Sequence, residues 1–469
     1  MIPLSCGELA SIVRGQLAGV EPTALIDAAV VIDSRLVVPG GLFVALPGEN
    51  VDGHDFVATA TATGATASLT SRPIEGSPCI VVEDQQTALG ELARHVMSQL
   101  PDCLVIGLTG SQGKTSTKDM IAQVLAPYGP TVAPKGSFNN ELGHPLTVLQ
   151  ADEKTRYLVA EMGAAHIGDI AYLTRITPPR IGLVLNVGVS HLGEFGSRDA
   201  IAQAKGELIE AVLPGGIAVL NADDPRVAAM AGRTKAEVLT FGETPEADVR
   251  ATGMALDDNG RAEFALHLAG DELPVRLQLI GEHQVSNALA CAAVAHAVGL
   301  APEQIADGLN SAVNVSKWRM EVTERPDGVT VINDAYNANP DSVRAALKAL
   351  VAIGRTRGAR TWAVLGEMRE LGTAAAEEHA AIGRLAVRLD VNRLVAVTEP
   401  ARPIQLGASL EGSSLEGSRR NESAYADSIE AALELLRAEL RPGDVVLVKA
   451  SRTVGLDRLA TALLEEASQ

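Results

Sequence analysis

The part of this sequence with the clearest chemistry is residues 109–118, Thr-Gly-Ser-Gln-Gly-Lys-Thr-Ser-Thr-Lys, which directly follow the apolar run Cys103–Leu108. The glycines allow a tight turn whose N–H groups point inward, and Lys114 places a cation on the β- and γ-phosphates of a nucleotide. The Thr115 hydroxyl can reach a phosphate-bound Mg²⁺, and the helix expected next presents its positive N-terminal end to the anion. Leu108 stands where the common pattern has its first glycine. Strand, loop and helix together nevertheless predict a phosphate-binding loop with ATP as its ligand.

Three polar side chains follow the next predicted strands. Glu161 follows the strand Tyr157–Ala160, and Asn186 and His191 follow the strand Ile181–Leu185. A carboxylate beside the phosphates is placed to hold Mg²⁺, although an ordinary loop acid gives the same sequence. A single histidine is more often a hydrogen-bonding loop residue than a metal ligand. Because Glu161 and His191 come from separate strand ends that face one crevice, we treat both as candidate ligands.

Two residues on predicted helices are further candidates. Lys205, in Ala-Lys-Gly-Glu, is a solvated helix lysine, a charge near the phosphates or a carbamate that binds metal, and the sequence leaves these alternatives open. Asn287 lies on the Ala-rich helix Val285–Val298, just after Gly-Glu-His-Gln at 281–284. A side-chain amide suits recognition of a purine edge, but an ordinary helix entry explains the segment equally well.

Three polar clusters follow predicted strands in the last third of the chain. Residues 333–342, Asn-Asp-Ala-Tyr-Asn-Ala-Asn-Pro-Asp-Ser, leave a strand and enter a helix. Helix capping accounts for Asn339 and Pro340, but not for the polar and aromatic residues just before them. Together with Gly-Glu-Met at 366–368 and Lys-Ala-Ser-Arg at 449–452, this segment predicts a second ligand site that faces the ATP site.

The first hundred residues carry a polar region of another kind. Asp-Ser-Arg at 33–35, a Gly/Pro-rich strand region at 39–48 and Asp-Gly-His-Asp-Phe at 52–56 place polar groups around a strand and a tight turn. This arrangement suits a small polar ligand, and turn chemistry alone explains it equally well.

Alternating strands and helices must bring these residues together. Apolar strands alternate with helices over residues 103–314 and again over residues 315–469, which predicts two α/β units with mostly parallel sheets and ligands at the carboxyl ends of the strands. Residues 1–102 form a smaller unit of short strands. Alternation in Arg261–Leu268, after an Asp-Asn-Gly turn, predicts a hairpin insert. Gln405–Ala424, which contains Ser-Leu-Glu-Gly-Ser twice, is interpreted as an exposed loop.

Length, net charge and cysteine content limit the number of domains, the partners and the compartment that we expect for this protein. A chain of 469 residues is long enough for two to four domains, and its charge of 39 − 58 = −19 without a Lys/Arg cluster argues against nucleic acid and anionic membranes as partners. Four scattered cysteines lack metal-ligand spacing and suit a reducing compartment. We find no run of 18 apolar residues and no signal peptide pattern, so we expect a cytoplasmic protein without a membrane span. Nothing in the sequence demands more than a monomer.

Seven motifs in register, spread over essentially the whole chain, resemble those of the Mur ligase family. They are Thr-Gly-Ser-x-Gly-Lys-Thr at 109–115, Asn-Asn-Glu at 139–141, Glu-Met-Gly at 161–163, Asn-Val-Gly with His at 186–191, Ala-Lys-Gly-Glu at 204–207, Gly-x-His with Asn at 281–287 and Asp-x-Tyr-Asn-Ala-Asn-Pro at 334–340. The last of these, Glu-Met-Gly and the N-terminal unit are most similar to the members that add D-alanyl-D-alanine to UDP-N-acetylmuramoyl-tripeptide in peptidoglycan synthesis.

This resemblance implies three domains and a mechanism. Residues 1–102 would bind the UDP-sugar peptide, residues 103–314 would bind ATP, and the Rossmann-like residues 315–469 would bind the incoming amine and close over ATP. The terminal carboxylate of the tripeptide would attack the γ-phosphate of MgATP and give an acyl phosphate. The amine of D-alanyl-D-alanine would then displace phosphate. The expected partners are therefore these small molecules, with ATP and Mg²⁺ as cofactors.

The resemblance also implies roles for individual residues. The catalytic group would be Lys114, Glu161, His191 and carbamylated Lys205, and the ligands of two Mg²⁺ ions would be Thr115, Glu161, His191 and Lys205. The ATP contacts would be Gly110, Ser111, Gly113, Lys114, Thr115, Ser116, Asn287, Arg319 and Asp334. The contacts to the UDP-substrate would be Ser34, Arg35, Ala45, His54, Asn139 and Asn140. Amine binding or closure would involve Tyr336, Asn337, Asn339, Ser342, Lys449, Ser451 and Arg452.

The sequence departs from the family pattern at three positions. Ser137 stands where the family often has asparagine, Trp318 stands where glycine is common before Arg319, and Lys-Ala-Ser-Arg at 449–452 replaces the frequent Lys-Gly-Ser-Arg. None of these departures removes a charged or metal-binding group.

Three alternative functions are compared with this interpretation. The Tyr-Asn-Ala-Asn-Pro segment argues against the tripeptide-forming ligase, and the N-terminal Asp-Ser-Arg unit argues against a folylpolyglutamate synthase. A nucleotide-binding scaffold without catalysis is disfavoured because the candidate catalytic residues are intact.

Overall fold

The protein is described as a computed structural model that covers residues 1–48, 51–190, 192–414 and 422–465. Its described strands form four sheets, with two, five, nine and six strands. Most neighbouring strands in the three larger sheets run parallel, which confirms the predicted α/β fold class.

The first unit holds the two-stranded and the five-stranded sheet. Its strands are β1 (Leu4–Ser5), β2 (Gln16–Ala18), β3 (Leu25–Ile26), β4 (Val30–Val31), β5 (Leu42–Val44), β6 (Ala67–Thr70) and β7 (Cys79–Val81), and its α-helices are α1 (Cys6–Ile12), α2 (Val57–Thr63) and α3 (Gln85–Ser98). β1 pairs with β3, and the larger sheet has the order β2-β7-β6-β5-β4. β5 and β6 are buried along their whole length, as parallel strands covered on both faces require.

The second unit is built on the nine-stranded sheet. Its strands are β8 (Leu104–Thr109), β9 (Thr131–Val132), β10 (Tyr157–Glu161), β11 (Ile181–Val184), β12 (Ile217–Asn221), β13 (Glu237–Gly242), β14 (Val249–Leu256), β15 (Arg261–Leu268) and β16 (Asp271–Ile280). Its α-helices are α4 (Lys114–Leu125), α5 (Gly143–Val148), α6 (Asp169–Ile176), α7 (Leu192–Phe195), α8 (Arg198–Glu210), α9 (Pro225–Ala228), α10 (Gln284–Val298) and α11 (Pro302–Ser311). The order is β16-β15-β14-β13-β12-β11-β8-β10-β9, and only β14, β15 and β16 pair antiparallel.

The middle of this sheet positions the phosphate-binding loop. β8 lies between β10 and β11, and all three strands run parallel. Glu161 pairs with Leu108 and Val184 pairs with Thr109, so the carboxyl ends of the three strands meet at one edge. The sequence placed each of these strands within one residue of its observed ends, because apolar runs bounded by polar residues mark buried parallel strands. The predicted hairpin strand Arg261–Leu268 is also confirmed, as β15.

The third unit contains the six-stranded sheet. Its strands are β17 (Glu321–Glu324), β18 (Thr330–Asn333), β19 (Thr361–Leu365), β20 (Arg393–Val397), β21 (Glu422–Ala426) and β22 (Val445–Lys449). Its α-helices are α12 (Pro340–Arg357), α13 (Ala375–Arg388), α14 (Arg402–Ser414), α15 (Ile429–Glu439) and α16 (Asp457–Glu465). The order is β17-β18-β22-β19-β20-β21, with only β17 antiparallel to its neighbour. The domain boundaries expected after residues 102 and 314 stay a prediction.

One interpretation of the sequence is wrong. The sequence predicts an exposed loop over Gln405–Ala424, but residues 402–414 form α14 and residue 422 begins β21; residues 415–421 lie outside the described part. The glycines misled the interpretation, because Gly407 serves close helix packing: a Cβ there would lie 2.2 Å from the Ala380 carbonyl oxygen of α13. Ile404 and Ala408, four residues apart, are buried on the same face.

No helix in the described ranges is long and apolar enough to cross a bilayer.

Candidate active site

The phosphate-binding loop is shaped by the strand end beside it. Asn186, just past β11, accepts hydrogen bonds through Oδ1 from the N–H groups of Ser111 and Gln112, both at 3.0 Å. The Gly188 N–H donates to Ser111 Oγ at 2.9 Å. Gly113 has φ of +80°, and a Cβ there would lie 2.4 Å from Asn287 Oδ1, so this position requires glycine.

Lys114, the first residue of α4, lies inside this loop. Its Nζ donates to the Gly110 carbonyl oxygen at 2.8 Å. Burial lowers the pKa of Lys114, the Glu161 carboxylate opposes that effect, and the positive charge of Arg319 adds to it. The amine thus lies within reach of the charges of one anion and one cation, at the place where phosphate oxygens would approach it.

Glu161 and Thr115 form a donor set that fits a magnesium ion. Glu161 is 1% exposed, and its Oε1 accepts a hydrogen bond from Asn139 Nδ2 at 2.6 Å. Its buried Oε2 has no hydrogen-bond partner within the described residues. Because an unpaired buried carboxylate oxygen is costly, this atom is suited to an oxygen-seeking cation. The Thr115 hydroxyl lies 2.9 Å from Ser137 Oγ.

The other two candidate metal ligands are His191 and Lys205. His191 lies outside the described residues. Lys205, on α8, is 4% exposed and lines the same cavity as Lys114 and Asn139. Burial lowers the pKa of Lys205 well below its usual value, and the charge of Lys114 lowers it further. The described residues contain no group of three or more His, Cys, Asp or Glu side chains that could by itself hold a metal ion.

A cavity of about 600 Å³ connects the first unit with the phosphate-binding loop. It extends from Gln86 on α3 to Lys205 on α8, and Asn139 and Asn140 lie on its wall. Asn140 also accepts the Gly143 N–H through Oδ1 at 2.9 Å, which fixes the entry to α5. The cavity is large enough for the peptide part of a substrate beside the phosphates.

Four candidate contacts to the UDP-substrate, Ser34, Arg35, Ala45 and His54, lie in the first unit, and the His54 ring is held on both sides. Its Nδ1 lies 2.6 Å from Asp52 Oδ1, and its Nε2 accepts the Ser71 N–H at 3.0 Å. Because a backbone N–H can only donate, Nε2 carries the lone pair and Nδ1 carries the proton. Gln85 Nε2 donates to the Ala45 carbonyl oxygen at 2.9 Å and lies 3.2 Å from His54 Nε2. Ala45 and His54 therefore lie next to Gln85, and the following residue, Gln86, lines the cavity.

Ser34 and Arg35 lie on a 3₁₀ turn of the same unit. Ser34 is buried, whereas the Arg35 side chain is 86% exposed and pairs with Asp33 at 2.6 Å. This pairing lowers the pKa of Asp33 to about 2. The exposed guanidinium leaves room for a ligand on its outer side.

A smaller cavity of about 150 Å³ also borders the loop, at Gln112 and Gly113. It brings Gly113, Ser116 and Asn287 of the second unit together with Asp334 and Lys449 of the third. Asn287 donates to Gln284 Oε1 at 2.8 Å, and Asp334 Oδ2 accepts a hydrogen bond from Lys449 Nζ at 2.6 Å. Five of the nine predicted ATP contacts therefore line one space, namely Gly113, Ser116, Asn287, Arg319 and Asp334, whereas Lys114 lines the larger cavity.

Arg319 joins the third unit to the phosphate-binding loop. Its Nη2 donates to Thr115 Oγ1 and Ser137 Oγ, both at 3.2 Å, and its guanidinium lies 4.1 Å from the centre of the Tyr336 ring. The preceding residue, Trp318, has φ of +60°, which accounts for the frequent glycine at this position in the family. The Trp318 ring packs against the Arg452 guanidinium at 4.0 Å.

The other residues expected to take part in amine binding or domain closure also lie close to one another. Asn339 caps α12 by accepting the Ser342 N–H at 2.9 Å, and its Nδ2 donates to Ser190 Oγ of the second unit at 2.5 Å. Lys449 Nζ donates to the Asn337 carbonyl oxygen at 2.9 Å, and Ser451 Oγ accepts the Arg369 N–H at 2.9 Å.

Sequence reasoning missed two residues of this interface. Ser190 bonds to Asn339, and Asp341 Oδ2 accepts the Val189 N–H at 3.3 Å. The sequence contains a signal for both residues, because each lies inside a motif that is noted above for another residue. Ser190 is next to His191, and Asp341 is next to Pro340.

Three family models match successive parts of the chain. Residues 28–97 match the catalytic domain of the Mur ligase family, residues 108–295 match the Mur ligase middle domain, and residues 318–452 match the glutamate ligase domain of Mur ligases.

Similar proteins cover nearly the whole chain. UDP-N-acetylmuramoyl-tripeptide–D-alanyl-D-alanine ligase of Mycobacterium tuberculosis is 51% identical over 99% of this chain and 98% of that protein. The Escherichia coli ligase of the same name is 35% identical over 99% of each chain. Among solved structures, MurF from Acinetobacter baumannii has a TM-score of 0.87 and 33% identity over 99% of each chain. MurF from Thermotoga maritima in complex with ADP has a TM-score of 0.80 and 29% identity over 94% of this chain and 98% of that chain.

Proposed function

We propose that this chain, which belongs to the Mur ligase family, joins D-alanyl-D-alanine to UDP-N-acetylmuramoyl-tripeptide with ATP in peptidoglycan synthesis. The observation that carries the proposal is the convergence of two sets of residues. The phosphate-binding loop of the second unit and the polar strand ends of the third unit share one crevice, where Arg319 donates to Thr115. An acyl-phosphate ligase needs this arrangement, because the nucleotide and the incoming amine must meet at one carboxyl group.

The chemistry requires two displacements. The terminal carboxylate of the tripeptide attacks the γ-phosphorus of ATP, and ADP leaves with the electrons of the broken bond. The amine of D-alanyl-D-alanine then attacks the carbonyl carbon of the acyl phosphate, and phosphate leaves from the tetrahedral intermediate. Lys114 and Arg319 supply positive charge beside the phosphates, and the loop N–H groups cradle them. Positioning and charge neutralisation are the main tasks of the protein in both steps.

The residues present fit a magnesium ion. The Thr115 hydroxyl and Glu161 Oε2 would hold one ion, and His191 and a carbamylated Lys205 would serve a second. A bound Mg²⁺ supplies positive charge that neutralises the β- and γ-phosphates.

Lys205 is suited to carbamylation by its burial. Its neutral amine adds to CO₂, a C–N bond forms, and one proton is released, so the side chain becomes an anion. The lowered pKa of Lys205 favours the neutral amine, and an anion there would line the same cavity as Lys114. A carbamate would turn the lysine into an anion, which explains how a lysine could serve a metal site.

The similarity to the Mur ligase family supports the following distribution of the substrates over the three units. The UDP part would contact Ser34, Arg35, Ala45 and His54 of the domain at residues 1–102, and the sugar-peptide would pass Asn139 and Asn140 toward Lys205. ATP would lie in the domain at residues 103–314, with adenine near Asn287. The amine would meet the domain at residues 315–469 near Tyr336, Asn337, Ser451 and Arg452. We propose further that the enzyme acts as a monomer and works in the cytoplasm, where ATP is available.

Phosphate release tests the proposal. Release from ATP is measured with Mg²⁺, UDP-N-acetylmuramoyl-tripeptide and D-alanyl-D-alanine, omitting each component in turn, and the product is identified by mass. Release that needs every component and gives the UDP-pentapeptide supports the proposal. Release that instead needs a UDP-dipeptide and a diamino acid would assign the chain to the tripeptide-forming ligases.

A further inference from the structure

We propose that the loop between β9 and α5, residues 133–142, orients the two groups that hold the metal ion, with Ser137 as the positioning residue for the Thr115 hydroxyl. This inference rests on the proposed function, since it assumes that Thr115 and Glu161 ligate Mg²⁺. Ser137 is one of the positions where this chain departs from the family pattern.

The loop is anchored on the same helix face that carries Thr115. Lys118, one turn along α4, is 1% exposed, and its Nζ donates to the Pro134 carbonyl oxygen at 2.6 Å. The carboxylate of Asp119 lies 2.5 Å from this Nζ and neutralises its buried charge. Residues three apart on a helix are neighbours, so Thr115 and Lys118 hold the loop at two points.

Proton counting at Thr115 assigns a direction to its bond with Ser137. The two hydroxyl oxygens are 2.9 Å apart, and Arg319 Nη2 lies 3.2 Å from each. Arginine can only donate, and each hydroxyl has one proton and two lone pairs. If Ser137 donated to Thr115, both lone pairs of Thr115 would be used, by Ser137 and Arg319. Only donation from Thr115 to Ser137 leaves Thr115 a lone pair for a cation.

The same loop also orients Glu161, the second proposed metal ligand. Asn139 Nδ2 donates to Glu161 Oε1 at 2.6 Å, and no described residue hydrogen-bonds the buried Oε2. The loop thus donates a hydrogen bond to one oxygen of Glu161 and accepts a hydrogen bond from the Thr115 hydroxyl. Each metal ligand then keeps a free electron pair for the ion. Removing a partner that orients a metal ligand typically weakens metal binding by 10- to 100-fold.

Binding of Mn²⁺, followed by electron paramagnetic resonance on the full chain saturated with ADP, tests this role without catalysis. The variants are Ser137→Ala, which removes the acceptor, and Ser137→Thr, which keeps a hydroxyl. Ser428→Ala is the matched control, because the Ser428 hydroxyl bonds only its near neighbours in the described structure, as acceptor from the Ala431 N–H at the start of α15 and as donor to Asp427 Oδ1. We expect Ser137→Ala to weaken Mn²⁺ binding by about tenfold or more, whereas Ser137→Thr and Ser428→Ala stay within about twofold of the unaltered chain. Affinity for metal-free ADP and the thermal midpoint should not change.

Three results would overturn the inference. Mn²⁺ binding by Ser137→Ala within about twofold of the unaltered chain would exclude an orienting role, as would equal weakening in Ser137→Thr. If Ser137→Ala does not fold, Ser137→Cys, whose thiol is a weak acceptor, replaces it under the same criteria. If the unaltered chain with ADP binds no Mn²⁺, the metal site itself is absent, and the inference falls with it. The omission assay for phosphate release judges the proposed function separately, because it needs no variant.

Discussion

Arg319 Nη2 donates to the Thr115 hydroxyl at 3.2 Å, although 204 positions of sequence separate the two residues. Arg319 lies just before β17 of the third unit, and Thr115 lies in the first turn of α4 of the second. The guanidinium also stacks on Tyr336 of the third unit. A single side chain therefore links the position of the third unit to the charge around the phosphates.

Replacing Arg319 by Lys should lower kcat/KM for ATP by roughly 100-fold, because a lysine cannot bond two hydroxyls and stack on a ring at the same time. Small-angle scattering should also show less compaction with a non-hydrolysable ATP analogue and the UDP-tripeptide. Arg355→Lys is the control, since the side chain of Arg355 is 67% exposed. Unchanged kcat/KM and compaction in Arg319→Lys would contradict the linking role.

Replacing Lys114 by Ala should reduce phosphate release by roughly 100- to 1,000-fold, because the cation on the β- and γ-phosphates is lost. The thermal midpoint should stay close to that of the unaltered chain, since the Lys114 ammonium is costly to bury. Lys154→Ala, at an exposed turn, serves as the control. Full turnover by Lys114→Ala would remove the basis for assigning the phosphate-binding loop.

Incubation with ¹³C-bicarbonate should give a carbamate carbon signal in the NMR spectrum, and Lys205→Ala should lack that signal. The reason is that burial lowers the pKa of Lys205 well below its usual value, which favours the neutral amine that adds CO₂. Activity should also fall when the buffer is depleted of CO₂ and return when bicarbonate is added. A spectrum of the unaltered chain without the signal, together with activity that ignores CO₂, would show that the lysine acts as an unmodified amine.

Stability should fall in acid because of His144. This buried residue of α5 has its pKa lowered to about 4 by burial, and its Nε2 lies 2.8 Å from Thr177 Oγ1. The unfolded value is about 6.5, so between pH 6.5 and 4 the unfolded chain binds more protons than the folded chain, and the free energy of unfolding decreases as the pH falls. The contribution is on the order of 3 kcal/mol.

Calorimetry at several pH values checks this expectation. His144→Gln, which keeps hydrogen-bonding groups but does not titrate, should lose less of its thermal midpoint between pH 7 and pH 5 than the unaltered chain does. His166→Gln is the control, because the His166 side chain is 67% exposed. Parallel curves for the unaltered chain and His144→Gln would show that another group controls the acid response.

Local sequence signals predicted the elements that carry the site. Apolar runs that end in polar residues located β8, β10 and β11, and the glycine-rich segment located the turn into α4. The N-cap at Asn339 was predicted from residue types alone and is present. Such features depend on residues within a few positions of each other, so they can be read without the fold.

Glycine was the least reliable local signal. It indicated a loop at residues 405–424, whereas Gly407 lies inside α14 and lets that helix approach α13. Whether a glycine ends a helix or allows close packing depends on the neighbouring element, which the local sequence does not contain. His54 shows the same limit, because its ring is held by Asp52, Ser71 and Gln85 and only the first of these is a sequence neighbour.

The sequence by itself determined the α/β class, the phosphate-binding loop and the family, because these depend on short-range periodicity and on motifs. Only the tertiary structure decided which groups meet: Arg319 with Thr115, Asn339 with Ser190, and Ser137 and Asn139 with the two proposed metal ligands. These contacts arise when parallel strands bring their carboxyl ends to one edge and the third unit packs over it. Side chains that are far apart in sequence then enter the same desolvated space, where their charges and hydrogen bonds are strong.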